Sequence, residues 1–167
     1  MTTRRNVLIG IGGVVALAGC TGAGSPEEIE DEVISADVGD TIVTLDDLES
    51  GWSGGSDDED NGEATFFNDE VTVEIKITDH SNISDAESAF DDLRSEQTES
   101  ASFDSVDYGN EGFTTNPFDD YVFFGFRAAN FVVEIESYTE EFARTDPEDT
   151  ARDFADIIVE KIANAQS

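Results

Sequence analysis

The chain has 167 residues, with 40 Asp or Glu against 8 Lys or Arg and a formal charge of −32 at pH 7. That balance disfavours nucleic acid and anionic headgroups as partners, because binding phosphates needs a basic patch that is missing here. One cysteine among 167 residues excludes a disulfide framework, so the fold must rest on its core.

The first segment reads as an address. Thr3-Arg4-Arg5-Asn6-Val7-Leu8 is a twin-arginine opening, and an apolar run from Val7 to Ala18 follows it. The run closes on Leu17-Ala18-Gly19-Cys20, a lipobox with small residues before the cysteine. About a dozen apolar residues fall short of the roughly 20 that a spanning helix needs. The expectation is a removable signal over residues 1–19, a lipidated Cys20, and a chain anchored on the cell membrane facing outside. Loss of Arg4 and Arg5 with the signal leaves 148 residues carrying −34, with Lys76 and Lys161 as the only lysines. Self-repulsion on that scale destabilises a compact state at ordinary ionic strength. Concentrated salt suppresses it, since the Debye length falls to about 3 Å at 1 M. High acidity, scarce lysine and the twin-arginine lipoprotein signal together resemble the exported proteins of haloarchaea. Two readings of the acidity stand side by side: a solvated surface suited to brine, or a surface made for a basic partner.

Residues 20–40 contain small residues, one proline and the cluster Glu27-Glu28-Ile29-Glu30-Asp31-Glu32, and read as a charged tether. One domain over residues 41–167 follows. Thr44-Leu45-Asp46-Asp47-Leu48 is a short helical turn, and residues 51–62 are a loop by their glycine, serine and acidic content. Strands are expected over 64–68 and 71–77; in the second, Val71, Val73, Ile75 and Ile77 share one face. Ser84 and Glu87 form a capping box for a helix reaching about residue 98, with Ala86, Ala89, Phe90 and Leu93 as its stripe. A strand over 103–108 breaks at Gly109-Asn110-Glu111-Gly112. Strands over 121–128 and 131–138 are apolar on both faces and flank a tight turn at Ala129-Asn130. Asp146-Pro147 opens a last helix with an N-cap and a first-turn proline. The fold class is α+β, an antiparallel sheet of about five strands with two helices packed on one face, in the order β-β-α-β-β-β-α.

Candidate chemistry is sparse. Gly51-Trp52-Ser53-Gly54-Gly55 fits the G-x-S-x-G nucleophile elbow, which works only where a strand feeds the serine and a helix leaves it. Ser53 as a nucleophile is therefore set against a flexible turn with Trp52 at the core edge. Asp57, Glu59 and Asn61 fill positions 1, 3 and 5 of a calcium-loop pattern with Gly62 at position 6. Asn68 replaces the glutamate needed at position 12, which leaves a non-EF cation loop or an exposed acidic loop. His80, the only histidine, reads as a surface residue. Asn82-Ile83-Ser84 is a glycosylation sequon in which Ser84 also serves as a helix cap. Arg127 is the one cation in a strongly apolar strand. It pairs either with Glu134 or Glu136 on the next strand, or with an anionic ligand in a pocket lined by Tyr108, Phe113, Phe118 and Tyr121. No cofactor is expected.

Leu48-Glu49-Ser50-Gly51-Trp52, the strands around Phe126-Arg127-Ala128-Ala129-Asn130-Phe131-Val132-Val133 and the amphipathic last helix resemble small secreted sensor-type or PsbP-like lipoprotein domains. The resemblance implies a non-enzymatic accessory or binding module. The expected function is a membrane-anchored, outward-facing binding module that can have a membrane-protein partner. The alternatives are a small hydrolase using Ser53 and a cation-stabilised structural protein of the envelope.

Overall fold

The computed structural model describes residues 29–58, 62–98, 103–140 and 143–166. Among these, the elements in chain order are α1 (Val38–Thr41), β1 (Ser53–Asp58), β2 (Glu63–Phe67), β3 (Val71–Asp79), α2 (Ile83–Thr98), β4 (Phe103–Val106), β5 (Glu111–Phe118), β6 (Tyr121–Ala128), β7 (Phe131–Thr139) and α3 (Pro147–Ala165), with a 3-10 turn at Leu45–Asp47. The strands form one antiparallel sheet in the order β1-β2-β3-β7-β6-β5-β4. The class is α+β, but the sheet has seven strands and three helices accompany it.

The two additional strands lack the pattern by which a strand announces itself. β1 reads Ser-Gly-Gly-Ser-Asp-Asp and has no apolar alternation. Its glycines are demanded by pairing: Gly54 has φ +105°, and a Cβ there would lie 2.1 Å from the Thr65 carbonyl oxygen of β2. β5 carries Gly112 and Pro117, and its register with β6 shifts between Thr115 and Phe118, where proline is tolerated. The expected break at Gly109-Asn110 is a turn that leads straight into β5.

The helices do not share a face. Successive residues of β6 point to opposite sides of the sheet. Val122, Phe124 and Phe126 join the large core with Phe154 and Ile158 of α3, while Phe123 joins Ala86 and Phe90 of α2 in a second cluster. The sheet is thus sandwiched between α3 and α2, and this is why all of β6 after Tyr121 is buried. A two-sided burial pattern in β6 is legible in the chain; which helix covers which side is a matter of tertiary packing. α2 begins two residues earlier than its Ser84 capping box suggests. Asn82 Oδ1 accepts from the Asp85 backbone N–H at 2.9 Å, so Asn82 caps the helix.

The folded unit also starts before residue 41. Ile29, Ile34 and Val38 are buried in the large core, so residues 29–40 form a strap across one end of the sheet and are not part of a free tether. Their apolar spacing is irregular because they are held from outside. Asn130 Oδ1 accepts from Ile34 N at 2.7 Å, Asn110 Nδ2 donates to the Ile29 carbonyl at 3.0 Å, and Gln166 Nε2 donates to the Glu30 carbonyl at 2.8 Å. Among the described residues no helix is long and apolar enough to cross a membrane.

Candidate functional site

Arg127 sits where β6 ends and is 5 % exposed. Its partners are neither Glu134 nor Glu136. Nε donates to Glu111 Oε1 at 2.7 Å, and Nη1 donates to Asp31 Oδ1 at 2.7 Å and to the Ala129 carbonyl at 3.0 Å. Register explains the correction. Glu111 of β5 lies directly opposite Arg127, whereas Glu134 lies opposite Gly125 and Lys76, and pairs with Lys76 at 3.1 Å. Burial works against the guanidinium's charge, but the hydrogen bonds to Asp31 and Glu111 outweigh it and hold its pKa above the ordinary value. Arg127 therefore staples the strap to the sheet. It also supports Ala129, whose φ of 54° is unusual for a residue with a side chain.

The proposed pocket around Arg127 does not form. Tyr108 packs on Phe124 and Phe126 on the α3 side, and its hydroxyl donates to Asp156 of α3. Burial first, then the Asp156 hydrogen bond, raises its pKa above the usual phenol value. Tyr121 lies at the other end of β6, six residues or about 20 Å from Arg127. Phe118 is 68 % exposed. The strand and helix contacts that separate these aromatic residues were invisible without β5.

The remaining candidates also scatter. Ser53 opens an edge strand and pairs with Phe67, so no helix follows it and no elbow is made. His80 follows the far end of β3, its backbone N–H bonded to the Asn130 carbonyl, and does not meet Ser53. Of the calcium-loop residues, Glu59 and Asn61 lie outside the described residues, and Asp57 is described only as a position in β1. Gly62 has a structural reason to be glycine: at φ +68° a Cβ would lie 2.2 Å from the Ile77 carbonyl oxygen. Among the described residues no group of three or more His, Cys, Asp or Glu is arranged to hold a metal ion. Asn82 is exposed, with its amide Nδ2 bonded to Asp85 Oδ2 at 2.7 Å. Cys20 lies outside the described residues.

A different surface emerges from the sheet. α2 packs over β5, β6 and β7 and leaves the same face of β1, β2 and β3 open. Following the register across that face, Phe67, Thr72, Tyr138, Tyr121 and Phe118 are successive neighbours on β2, β3, β7, β6 and β5. Directly paired residues of an antiparallel sheet point to the same side, so these form one row. It starts on the open half with Phe67 and Thr72 and runs to the margin of α2, where Tyr121 packs against the second cluster. Of the five exposed large hydrophobic residues among those described, Phe67, Tyr138 and Phe118 are in it; Val33 and Leu45 are elsewhere. Beside the row is a depression of about 440 Å³ whose walls include Glu63, Glu74, Glu134, Glu136 and a single cation, Lys76. Tyr138 donates to Glu74 at 2.8 Å and Tyr121 to Glu136 at 3.0 Å. The Glu74 hydrogen bond raises the Tyr138 pKa; burial and then Glu136 raise that of Tyr121. Both phenols stay protonated and donate to these carboxylates. Acceptors and aromatic faces on a flat, open surface are equipment for binding. The sequence signal for this site was present only in part: Phe67 and Phe118 each stand next to turn residues, but their alignment depends on five strand registers.

Compared with known protein families, curated proteins and solved structures, the chain matches none.

Proposed function

We propose that this chain is a lipid-anchored, outward-facing, non-catalytic binding module that presents the open half of its sheet to a partner. The observation that carries the reading is the position of the exposed aromatic row relative to the strap. The strap enters beside Asn110, Asn130 and Gln166, at the Arg127 end of β6. The row crosses the Tyr121 end, about 20 Å further along the strand. Eight residues separate Cys20 from Ile29, a span of nine steps along the chain. Fully extended, they reach at most about 30 Å. A lipid on Cys20 therefore attaches the domain at its Arg127 end, the end opposite the aromatic row. The twin-arginine signal and the lipobox support export and anchoring, and the charge of −32 supports a brine-adapted surface.

The test uses the full-length chain in its own host. Cys20→Ala should move the protein from the membrane fraction to the medium or the soluble fraction. A wild-type chain that is already soluble overturns the anchor. The orientation has its own probe, because Trp52 is the only tryptophan and precedes β1 at the end of the sheet that carries the row. In vesicles containing lipids with brominated chains, Trp52 fluorescence should remain unquenched. Strong quenching would mean that the row faces the membrane.

A further inference from the structure

Resting on that reading, we propose that the open face docks a short, extended, cationic segment of a partner protein, with Lys or Arg side chains seated on the aromatic row and paired with Glu74 and Glu136. The aromatic row is the first argument. Phe67 is 48 % exposed and Phe118 is 68 % exposed, whereas the other described phenylalanines are mostly buried. Exposed aromatic groups aligned across one sheet face, rimmed by polar residues, mark an interaction surface. Aromatic faces attract a cation within about 6 Å of the ring centre. The chain already uses this contact internally: Arg94 lies 4.9 Å from the Phe103 ring centre and Arg152 lies 5.6 Å from that of Phe124.

Charge complementarity selects the occupant. Glu63, Glu74, Glu134 and Glu136 face the depression against one Lys76, and Lys76 is committed to Glu134. An anionic ligand is repelled by this wall. A second copy of the chain is repelled too, because at direct contact this face would meet carboxylates of the same sign. A Lys or Arg segment finds rings and carboxylates on one surface. The row crosses four strand-to-strand steps of about 4.8 Å, roughly 19 Å, which an extended peptide covers in about six residues at about 3.3 Å each.

The experiment titrates the full-length lipoprotein, in detergent micelles at molar KCl, with an alternating Arg-Gly hexapeptide and separately with maltohexaose. Molar salt shortens the Debye length to about 3 Å, so attraction to the acidic surface at large is screened and direct contacts remain. The hexapeptide should bind the wild type. Phe67→Ala and the double variant Glu74→Gln/Glu136→Gln should each weaken it at least tenfold. The charge-matched control Asp91→Asn/Asp92→Asn, on an exposed stretch of α2, should change it less than twofold. Circular dichroism melts establish that each variant is folded. Equal weakening by the control overturns the proposal in favour of non-specific charge attraction. Binding of maltohexaose but not of the hexapeptide overturns the cationic occupant and keeps a binding module. If neither ligand binds, the proposal fails, while the anchor is judged separately by Cys20→Ala.

Discussion

On the α3 side of the sheet, alternating residues of β2, β3, β6 and β7 meet one long helix, and Phe66, Phe124, Phe126, Phe154 and Ile158 close into a core that water does not enter. On the α2 side β5, β6 and β7 contribute Phe113, Phe123 and Val132 to a smaller cluster, and the rest of that face carries Thr, Glu, Lys and half-exposed aromatic residues. The difference lies in coverage. Helix α3 runs 19 residues against strands at the centre of the sheet, whereas the 16-residue α2 lies over β5–β7 and leaves β1–β3 bare. A sheet closed on one face supplies its stability there. The other face is then free to carry groups that stability alone does not require.

Substitutions break this contrast in graded steps. Phe154→Ala removes a ring that touches both Phe66 and Trp52. It should cost about 3–5 kcal/mol, read as a large fall in the denaturant midpoint. Phe90→Ala removes the corresponding ring on the α2 side, where it meets Phe113 in a five-residue cluster. It should cost about 3 kcal/mol, the low end for Phe→Ala, because neighbours at an open margin relax further into the gap. Hydrogen exchange should show α2 opening before α3 in that variant. Loss of α3 protection first would mean that the two clusters are not separable units.

Arg127→Met tests the strap that crosses the end of the sheet. Removing one partner of a fully buried ion pair costs more, but here Asp31 and Glu111 are 49 % and 36 % exposed and can be hydrated again. The expected loss is about 2 kcal/mol, near that of the charge-assisted hydrogen bonds themselves. Proteolysis should then cut first within residues 29–41.

The flanks of α3 add a pH dependence. For Asp47, burial would raise the pKa, but hydrogen bonds from Lys161 and Thr44 outweigh it and hold the carboxyl below its ordinary 3.8. The Arg152 hydrogen bond holds Glu148 below its ordinary 4.5, against partial burial. Carboxyls depressed in the folded state stabilise it above their unfolded values, and that contribution disappears as acid carries the pH down through the folded ones. Stability should therefore fall below about pH 4.5, and Lys161→Met should flatten the acid limb. An unchanged limb would show that the Asp47–Lys161 pair, 2.8 Å apart, adds nothing in solution.

The smallest effect belongs to the open face. Phe67→Ser should alter stability by less than about 0.5 kcal/mol, as exposed positions do. A cost near that of Phe90→Ala would place Phe67 in the core and remove the reason to regard its face as a docking surface.

β3, β6, β7, α2 and α3 were legible from the chain because each is encoded by residues two, three or four positions apart. Val71, Val73, Ile75 and Ile77 reveal their shared face without any knowledge of what covers it. β1 was illegible for a physical reason. Gly54 and Gly55 look like loop residues, yet the approach of β2's backbone makes glycine the residue that fits at Gly54. The missing β5 then misdirected the reading of Arg127, whose partner Glu111 stands on that strand.

The local pattern of the chain specifies an acidic, cysteine-poor α+β domain, since composition and short-range periodicity survive without long-range contacts. Tertiary pairing alone assigns α2 and α3 to opposite faces and draws residues 29–40 into the core. It also sets Phe67, Tyr138 and Phe118 in one row. Those outcomes depend on the registers of strands far apart in sequence, and a shift of one residue in any of them would turn the aromatic side chains to the other face.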